Sequence, residues 1–398
     1  INVNEVLGTA TEAGARVIAY GNEVTTEVSV HASGSLASID TIGAAGATGA
    51  TAGTSTSTTW LLPEGATHSG FTTFVDIVNP DLATDTQVNI TCFPANSASK
   101  AAQGNPHTIP KGSRRTVNVN AACGPEADDM STRVQVVPPP TPADSAKPNV
   151  VAGLVILNSS TSPADLAVGG SVGITTPQNN WVVAEGATHS GWHTFVLMAN
   201  PGGSPVSATV TFLTKSEGQK AGPVVNIPAG SRRTIDVNVE CGCSDDVSTL
   251  VTAPSAIAVE SSITRIDSTG YVIADSVASG GADIAAASGT RWLAAEGASH
   301  SGLGTFILIA NPNIANAASV DVTFLTKSSG AVTPGALQGL AIPAGSRVTI
   351  FVNNYVTDDV STLVETNTAV KVVVEMSIDH ITSQGFSKGR SLAFKLAA

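Results

Sequence analysis

Trp60-Leu-Leu-Pro-Glu64-Gly-Ala-Thr-His68-Ser-Gly returns as Trp181-Val-Val-Ala-Glu185-Gly-Ala-Thr-His189-Ser-Gly, and again as Trp292-Leu-Ala-Ala-Glu296-Gly-Ala-Ser-His300-Ser-Gly. Later landmarks keep nearly the same step: Asn79-Pro80, Asn200-Pro201 and Asn311-Pro312, then Ser113-Arg114, Ser231-Arg232 and Ser346-Arg347. Next come Asp128-Asp129-Met-Ser-Thr, Asp245-Asp246-Val-Ser-Thr and Asp358-Asp359-Val-Ser-Thr. A period of roughly 110–120 residues is a whole domain, where solenoid repeats run to about 20–50. The expected organisation is beads in series.

Inside each unit the apolar residues form short runs rich in Val, Ile, Thr and Phe, punctuated by Gly, Pro, Asn and Asp, which is strand spacing. In the second unit the runs are Trp181-Val-Val-Ala, Thr194-Phe-Val-Leu-Met-Ala, Ser207-Ala-Thr-Val-Thr-Phe-Leu, Arg233-Thr-Ile-Asp-Val-Asn-Val, Ser248-Thr-Leu-Val and Ala256-Ile-Ala-Val-Glu-Ser-Ser-Ile. Thr234, Asp236 and Asn238 alternate with Ile235, Val237 and Val239, the period of two of a strand with one face in a core. No stretch carries a capped apolar face at helical spacing. Six or seven strands in such a unit predict an immunoglobulin-sized β-sandwich with the tryptophan as core anchor, a closed barrel being the alternative.

The expected fold is therefore all-β: three tandem immunoglobulin-like sandwiches over residues 60–178, 179–289 and 290–398, preceded by an extended strand segment over 1–59. Pro138-Pro-Pro-Thr-Pro142 and the stretches 169–180 and 279–290 read as linkers. Gly43 to Thr59, nearly all Ala, Gly, Ser and Thr, is too poor in apolar surface to fold alone. Ile1-Asn-Val-Asn-Glu-Val resembles Ile235-Asp-Val-Asn-Val-Glu, and Ala15-Arg-Val-Ile-Ala-Tyr resembles the unit-ending Ala256-Ile-Ala-Val-Glu-Ser. Residues 1–59 thus read as a partial unit whose strand edge needs covering. Either they pack back onto the first complete unit, or they add to a sheet of the next molecule.

The chain has 398 residues, of which 13% are charged, against about 25% in an average soluble protein. Its net charge of −12 opposes binding to nucleic acid or anionic lipid, which need clustered cations. Its apolar runs are far shorter than the roughly 20 residues that cross a bilayer, so no membrane span is expected. An opening at Ile1 without Met, basic region or apolar leader reads as a processed or trimmed product. Few lysines and many small residues suit a secreted bacterial surface protein.

The ordered set Trp-x-x-x-Glu-Gly, Asn-Pro, Ser-Arg-x-Thr, Asp-Val-Ser-Thr and a late Val-Glu resembles the tandem repeats of secreted and cell-surface proteins of actinobacteria and related bacteria. The resemblance covers residues 60–398. It implies an exported modular β-protein and brings no catalytic residues with it. Two departures stand out: Gly153 takes the place of Glu260 and Glu375, and Met130 that of Val247 and Val360.

The landmarks read as structural. Glu64, Glu185 and Glu296 are expected to pair with Arg114, Arg232 and Arg347 or to accept turn N–H groups, since a partly buried charge needs a partner. Asn-Pro ends a strand by removing a donor. The Asp-Asp pairs are expected in turn bonding, because calcium wants six to eight oxygens and no Asp-x-Asp-x-Asp-Gly loop exists. His68, His189 and His300 with their adjacent serines suggest a nucleophile, but a triad must meet in space. The same residues at the same step in every unit behave as scaffold. Cys92, Cys123, Cys241 and Cys243 partition two and two between the first units, as an exported protein would use them, although Cys123 and Cys241 occupy equivalent positions and other pairings stay open. No catalytic, cofactor or metal residue is assigned, and no cofactor is expected.

The expected function is a non-enzymatic extracellular structural protein, the subunit of a surface filament or layer assembled head-to-tail through β-strand addition. Its expected partners are copies of itself, with cell-wall or glycan contact as a further expectation. The alternative is a monomeric adhesin or carbohydrate-binding stalk, for which Trp192 and Tyr355 are the aromatic candidates.

Overall fold

The computed structural model describes residues 29–30, 40–41, 57–124, 128–137, 149–158, 167–266, 272–277, 282–283, 289–382 and 385–396. They are nearly all antiparallel β, in three bodies of two sheets each. In the first, Thr59–Leu62, Met130–Val136 and Thr86–Pro94 form one sheet, edged by Lys100–Ala101 and His107–Ile109. The facing sheet runs Ser113–Asn118, Phe71–Asn79, Val151–Asn158 and Ala167–Val172. The third repeats this plan, with Arg291–Ala294, Val360–Thr366 and Ala318–Thr326 facing Ser346–Phe351, Leu303–Asn311, Val373–Thr382 and Gly385–Leu392.

Alternation builds the cores. Thr86–Pro94 and Val206–Thr214 share one pattern of burial, with Val88 and Ile90 or Ala208 and Val210 turned inward. Each body has its own apolar cluster, around Trp60, Ile77 and Leu154; Trp181, Phe212 and Val259; and Trp292, Phe324 and Val374. A buried indole keeps a polar N–H that must be satisfied. Trp60 Nε1 donates to the Val150 carbonyl at 2.8 Å, Trp181 Nε1 to Ile257 at 2.9 Å and Trp292 Nε1 to Val372 at 3.1 Å. The cysteines pair as Cys92–Cys123 and Cys241–Cys243.

The second body departs from the expected strand list in two ways. Ser248-Thr-Leu-Val and Ala256 to Ile263 belong to one strand, Val247–Ile266, whose halves serve both sheets. The run through Val239 stops as a strand at Asp236, whose carboxylate accepts from the N–H groups of Asn238 and Val239 and caps the helical turn Val237–Cys241. Val239 is consequently exposed, so alternation overran a capping residue.

Two stretches read as linkers contain sheet-paired residues. Within 169–180, Ile174 bridges back to Leu61 and Gln178–Val183 opens the next body; within 279–290, Ala282–Asp283 pairs with Trp181–Val182. The bodies are also not spaced like beads. Their closing strands, Ala167–Val172, Val272–Val277 and Gly385–Leu392, approach one another within 8 Å between Cα atoms. Small residues such as Gly169, Gly170 and Ser171 permit close approach, and mutual packing covers edges that separate beads would leave open.

Ser29–Val30 pairs with Asp40–Thr41, which lies against Ala167–Val172 and Gly385–Leu392 of the same chain. This part of the N-terminal segment therefore packs back at home. Residues 1–28 and 42–56, on which the strand-addition and linker expectations mainly fall, lie outside the described residues, as does the Pro138–Pro142 linker.

Candidate functional site

The repeated landmarks converge at the junctions between bodies. In each Glu-Gly turn a neighbouring strand crowds the glycine. A Cβ on Gly65 would sit 2.2 Å from the Met130 carbonyl oxygen, and on Gly186 or Gly297 2.4 Å from those of Val247 and Val360. Only glycine fits, and its own carbonyl accepts the N–H of the crowding residue, Met130, Val247 or Val360. Arg232 of the second body donates through Nη1 to the Gly65 carbonyl at 2.7 Å, and Arg347 of the third donates to Gly186 at 2.9 Å.

The rest of the Ser-Arg-x-Thr strand follows the same plan. Ser231 Oγ donates to the Pro94 carbonyl at 2.9 Å and Ser346 Oγ to Thr214 at 3.0 Å. Thr234 Oγ1 donates to Asp129 Oδ2 and Thr349 Oγ1 to Asp246 Oδ2, each at 2.8 Å. The late glutamates complete the joint from the neighbouring strand. Glu260 accepts from the Glu64 N–H at 2.7 Å and from Ser171 Oγ at 2.6 Å, while Glu375 accepts from the N–H groups of Ala184 and Glu185 at 2.9 and 2.8 Å. An apolar patch of Val182, Ala184, Leu213 and Leu250 against Ala310 and Val373 backs the second junction.

The arginines thus do not pair with their own units' glutamates. Among the described residues no ion pair joins Glu64 to Arg114, Glu185 to Arg232 or Glu296 to Arg347. Spacing within one unit could not separate a contact to its own turn from a contact to the neighbour's identical turn.

His68 and His189 stand at the rims of the two joints, and His300 holds the same place on the third sandwich. His68 Nε2 contacts Asp129 Oδ1 at 3.0 Å, His189 contacts Asp246 at 3.0 Å and His300 contacts Asp359 at 2.8 Å. Histidine holds one carboxylate oxygen, leaving the other for the neighbour's threonine. Burial pushes the Asp246 carboxyl up. The Arg347 guanidinium, hydrogen bonds from His189 and Thr349, and Lys215 outweigh it and bring the pKa down to about 2. Asp129 is lowered by the same opposition, with Arg232, His68 and Thr234 prevailing over burial.

The adjacent serines bring a Ser-His-Asp series together: Ser69 Oγ lies 3.0 Å from His68 Nδ1, and Ser190 and Ser301 each 3.1 Å from theirs. Backbone geometry explains these serines without chemistry. Ser69, Ser190 and Ser301 have φ of 51°, 54° and 54°, each is followed by a glycine at positive φ, and Phe71, Trp192 and Leu303 N–H donate back to the histidine carbonyls. That is a two-residue turn of type I′, built to reverse a strand. The hydroxyls stand exposed, with none of the water exclusion that nucleophilic sites use.

The first aspartate of each pair bonds mainly across to a separate loop and not within its own turn. Asp128 accepts from Asn96 N and Nδ2, Asp245 from Ser216 N and Oγ, and Asp358 from Ser328 N and Oγ. No group of three His, Cys, Asp or Glu suited to a metal occurs among the described residues. An open cleft of about 590 Å³ beside the first junction is lined by His68, Asn96, Asp128, Asp129, Arg233 and Thr234. Trp192 packs beneath the Arg265 guanidinium and Tyr355 tilts against Phe324, so neither is a bare platform for a sugar ring.

Sequence reasoning missed the asparagine of Asn-Pro. Asn79, Asn200 and Asn311 are buried, and their Nδ2 groups donate to the Ile109, Ile227 and Ile342 carbonyls, tying each loop beside the Ser-Arg strand. The signal available was the asparagine itself, a buried-capable donor and acceptor repeated three times.

No known family and no curated protein matches the chain. Solved structures similar to it include Thermotoga maritima 1070, at 15% identity over 27% of this chain and 95% of that one, with a TM-score of 0.24. Streptomyces avermitilis alpha-L-rhamnosidase complexed with L-rhamnose is similar at 10% identity over 77% and 37%, with a TM-score of 0.16. The chicken CNTN1 FN1-FN3 domains match at 13% identity over 81% and 95%, with a TM-score of 0.12.

Proposed function

We propose that this chain is a non-enzymatic extracellular structural protein, a subunit that assembles with copies of itself into a surface filament or layer. The observation that carries the reading is where the repeated polar residues are spent. At the two junctions, arginine, threonine and glutamate of one sandwich bond to the glycine carbonyl, the aspartate and turn N–H groups of the sandwich before it. Two disulfides suit an oxidising compartment outside the cytosol. Among the described residues no helix is long and apolar enough to cross a membrane.

Head-to-tail assembly would pair a donor face of the first sandwich with an acceptor face of the third, an arrangement that generates an open polymer unless the rotation closes a ring. Strand addition by residues 1–31 remains one route, in which main-chain hydrogen bonds to a sheet edge supply the affinity. Negative-stain microscopy and sedimentation of the full chain test the reading. Filaments or sheets are expected; a monomer at every concentration overturns it. Loss of the polymers on deleting residues 1–31 would assign the assembly to strand addition.

A further inference from the structure

We propose that the outer face of the third sandwich, centred on Gly297 and Asp359, is a docking surface for the Ser113-Arg114-Arg115-Thr116 strand of a second copy. The proposal rests on the structural-subunit reading and names the surface that would join the copies. The first two tails show what such a face receives. Gly65 and Asp129 take Arg232 and Thr234, while Gly186 and Asp246 take Arg347 and Thr349. The third tail reproduces the receptor: the Gly297 turn is crowded by the Val360 carbonyl just as Gly186 is by Val247, and His300 holds Asp359 Oδ1. The Asp246 side chain is 18% exposed inside its junction, whereas that of Asp359 is 50% exposed.

The head of the first sandwich supplies the matching strand in the matching register. Ser113 and Arg114 lie opposite Asn79 and Val78, as Ser231 and Arg232 lie opposite Asn200 and Ala199, and Ser346 and Arg347 opposite Asn311 and Ala310. Both faces carry charges of each sign, Arg114 and Arg115 with Asp76 on the head and Asp358 and Asp359 with Lys327 on the tail, so the match lies in the register of single groups.

One strand pair distinguishes this head from the two docked ones. Leu197 lies opposite Glu260 and Leu308 opposite Glu375, but Asp76 lies opposite Gly153. The carboxylate has moved to the adjacent strand, where Arg114 Nη2 and Thr116 Oγ1 both donate to it. On the tail, Lys327 Nζ holds Asp359 Oδ2 at 2.9 Å, the oxygen that in Asp246 takes the neighbour's threonine. Docking therefore exchanges internal partners for external ones, and exchanged surface ion pairs bring a small net gain that salt screens. The joint between copies is weak and reversible where the joints within the chain are permanent.

Sedimentation velocity of the full chain across concentration and salt tests this, with circular dichroism confirming the fold of each variant. The wild type should associate reversibly, less at high salt, and Asp359→Lys should weaken association by at least about tenfold. Asp76→Leu, and Asp76→Leu with Gly153→Glu, rebuild the docked type of head and should tighten it by about the same factor, a gain that Asp359→Lys cancels. If Gly153→Glu disturbs the first sandwich, Asp76→Leu alone carries the test. Folded head variants that associate no better than wild type overturn the proposal. Association that ignores Asp359 yet vanishes when residues 1–31 are deleted overturns this surface and leaves the structural reading intact. A chain monomeric in every variant overturns both.

Discussion

Arg232 and Arg114 hold the same place in two copies of one strand, yet the Arg232 side chain is wholly buried and that of Arg114 is 22% exposed. The first reaches a carbonyl of the preceding sandwich; the second turns to Asp76 on its own sheet. One local sequence thus serves as a permanent joint or as a self-held surface, according to the residue across the next strand and the body that lies beyond.

Truncation should expose that difference most. Arg232→Ala removes a buried charge-assisted hydrogen bond to the Gly65 carbonyl, which keeps the Met130 N–H, while Asp129 keeps His68 and Thr234, so the loss should be about 1.5–3 kcal/mol of unfolding free energy. Arg114→Ala gives up a pair that keeps some access to water and should cost less, about 1 kcal/mol. Urea titrations of both variants measure the contrast, and equal losses would mean that burial at the joint does not set the energetics.

Acid should separate the second and third tails by a smaller margin. The folded Asp246 carboxyl lies at about 2, below its ordinary 3.8. Its contribution is therefore complete above pH 3.8 and is lost as pH falls through about 2, because the unfolded chain takes the proton first. Asp359 is also lowered, by hydrogen bonds from His300 and Lys327, but it is half exposed. Asp246→Asn should flatten the stability profile between pH 4 and 2 more than Asp359→Asn, as urea midpoints measured across that range will show.

His107 distinguishes the first sandwich from the others by a gentler effect. It is buried at the place of Val225 and Leu340, and neither ring nitrogen has a hydrogen-bond partner. Burial first, and the nearby Arg115 second, lower its pKa from 6.5. A depressed histidine stabilises the fold above the unfolded value and loses that contribution as pH falls below 6.5. His107→Val should remove this slope in a thermal melt series between pH 7.5 and 5. The smallest effect belongs to the turns: Ser190→Ala should leave association unchanged, and a fluorophosphonate probe should label no serine.

The sandwich architecture was legible because alternation in Thr86–Pro94 and Val206–Thr214, and tryptophans at a constant step, report burial directly. The helical turn at Val237–Cys241 was hidden, since Asp236 fits the polar phase of a strand as well as it caps a helix. The Glu-Gly and Ser-Arg landmarks could be recognised as structural, but not assigned to their partners. Repetition is symmetric: each arginine sees two chemically identical turns, its own and its neighbour's, and spacing does not choose between them.

The amino-acid order alone determined that the chain is built of repeated β units with four cysteines divided two and two, because periodicity and side-chain chemistry are local properties. Only the tertiary structure decided that the repeated ions lie between bodies, that closing strands gather at a shared centre, and that Asp76 holds the first arginine at home. Those outcomes depend on which surfaces meet in space, and a buried charge takes whichever partner the packing delivers.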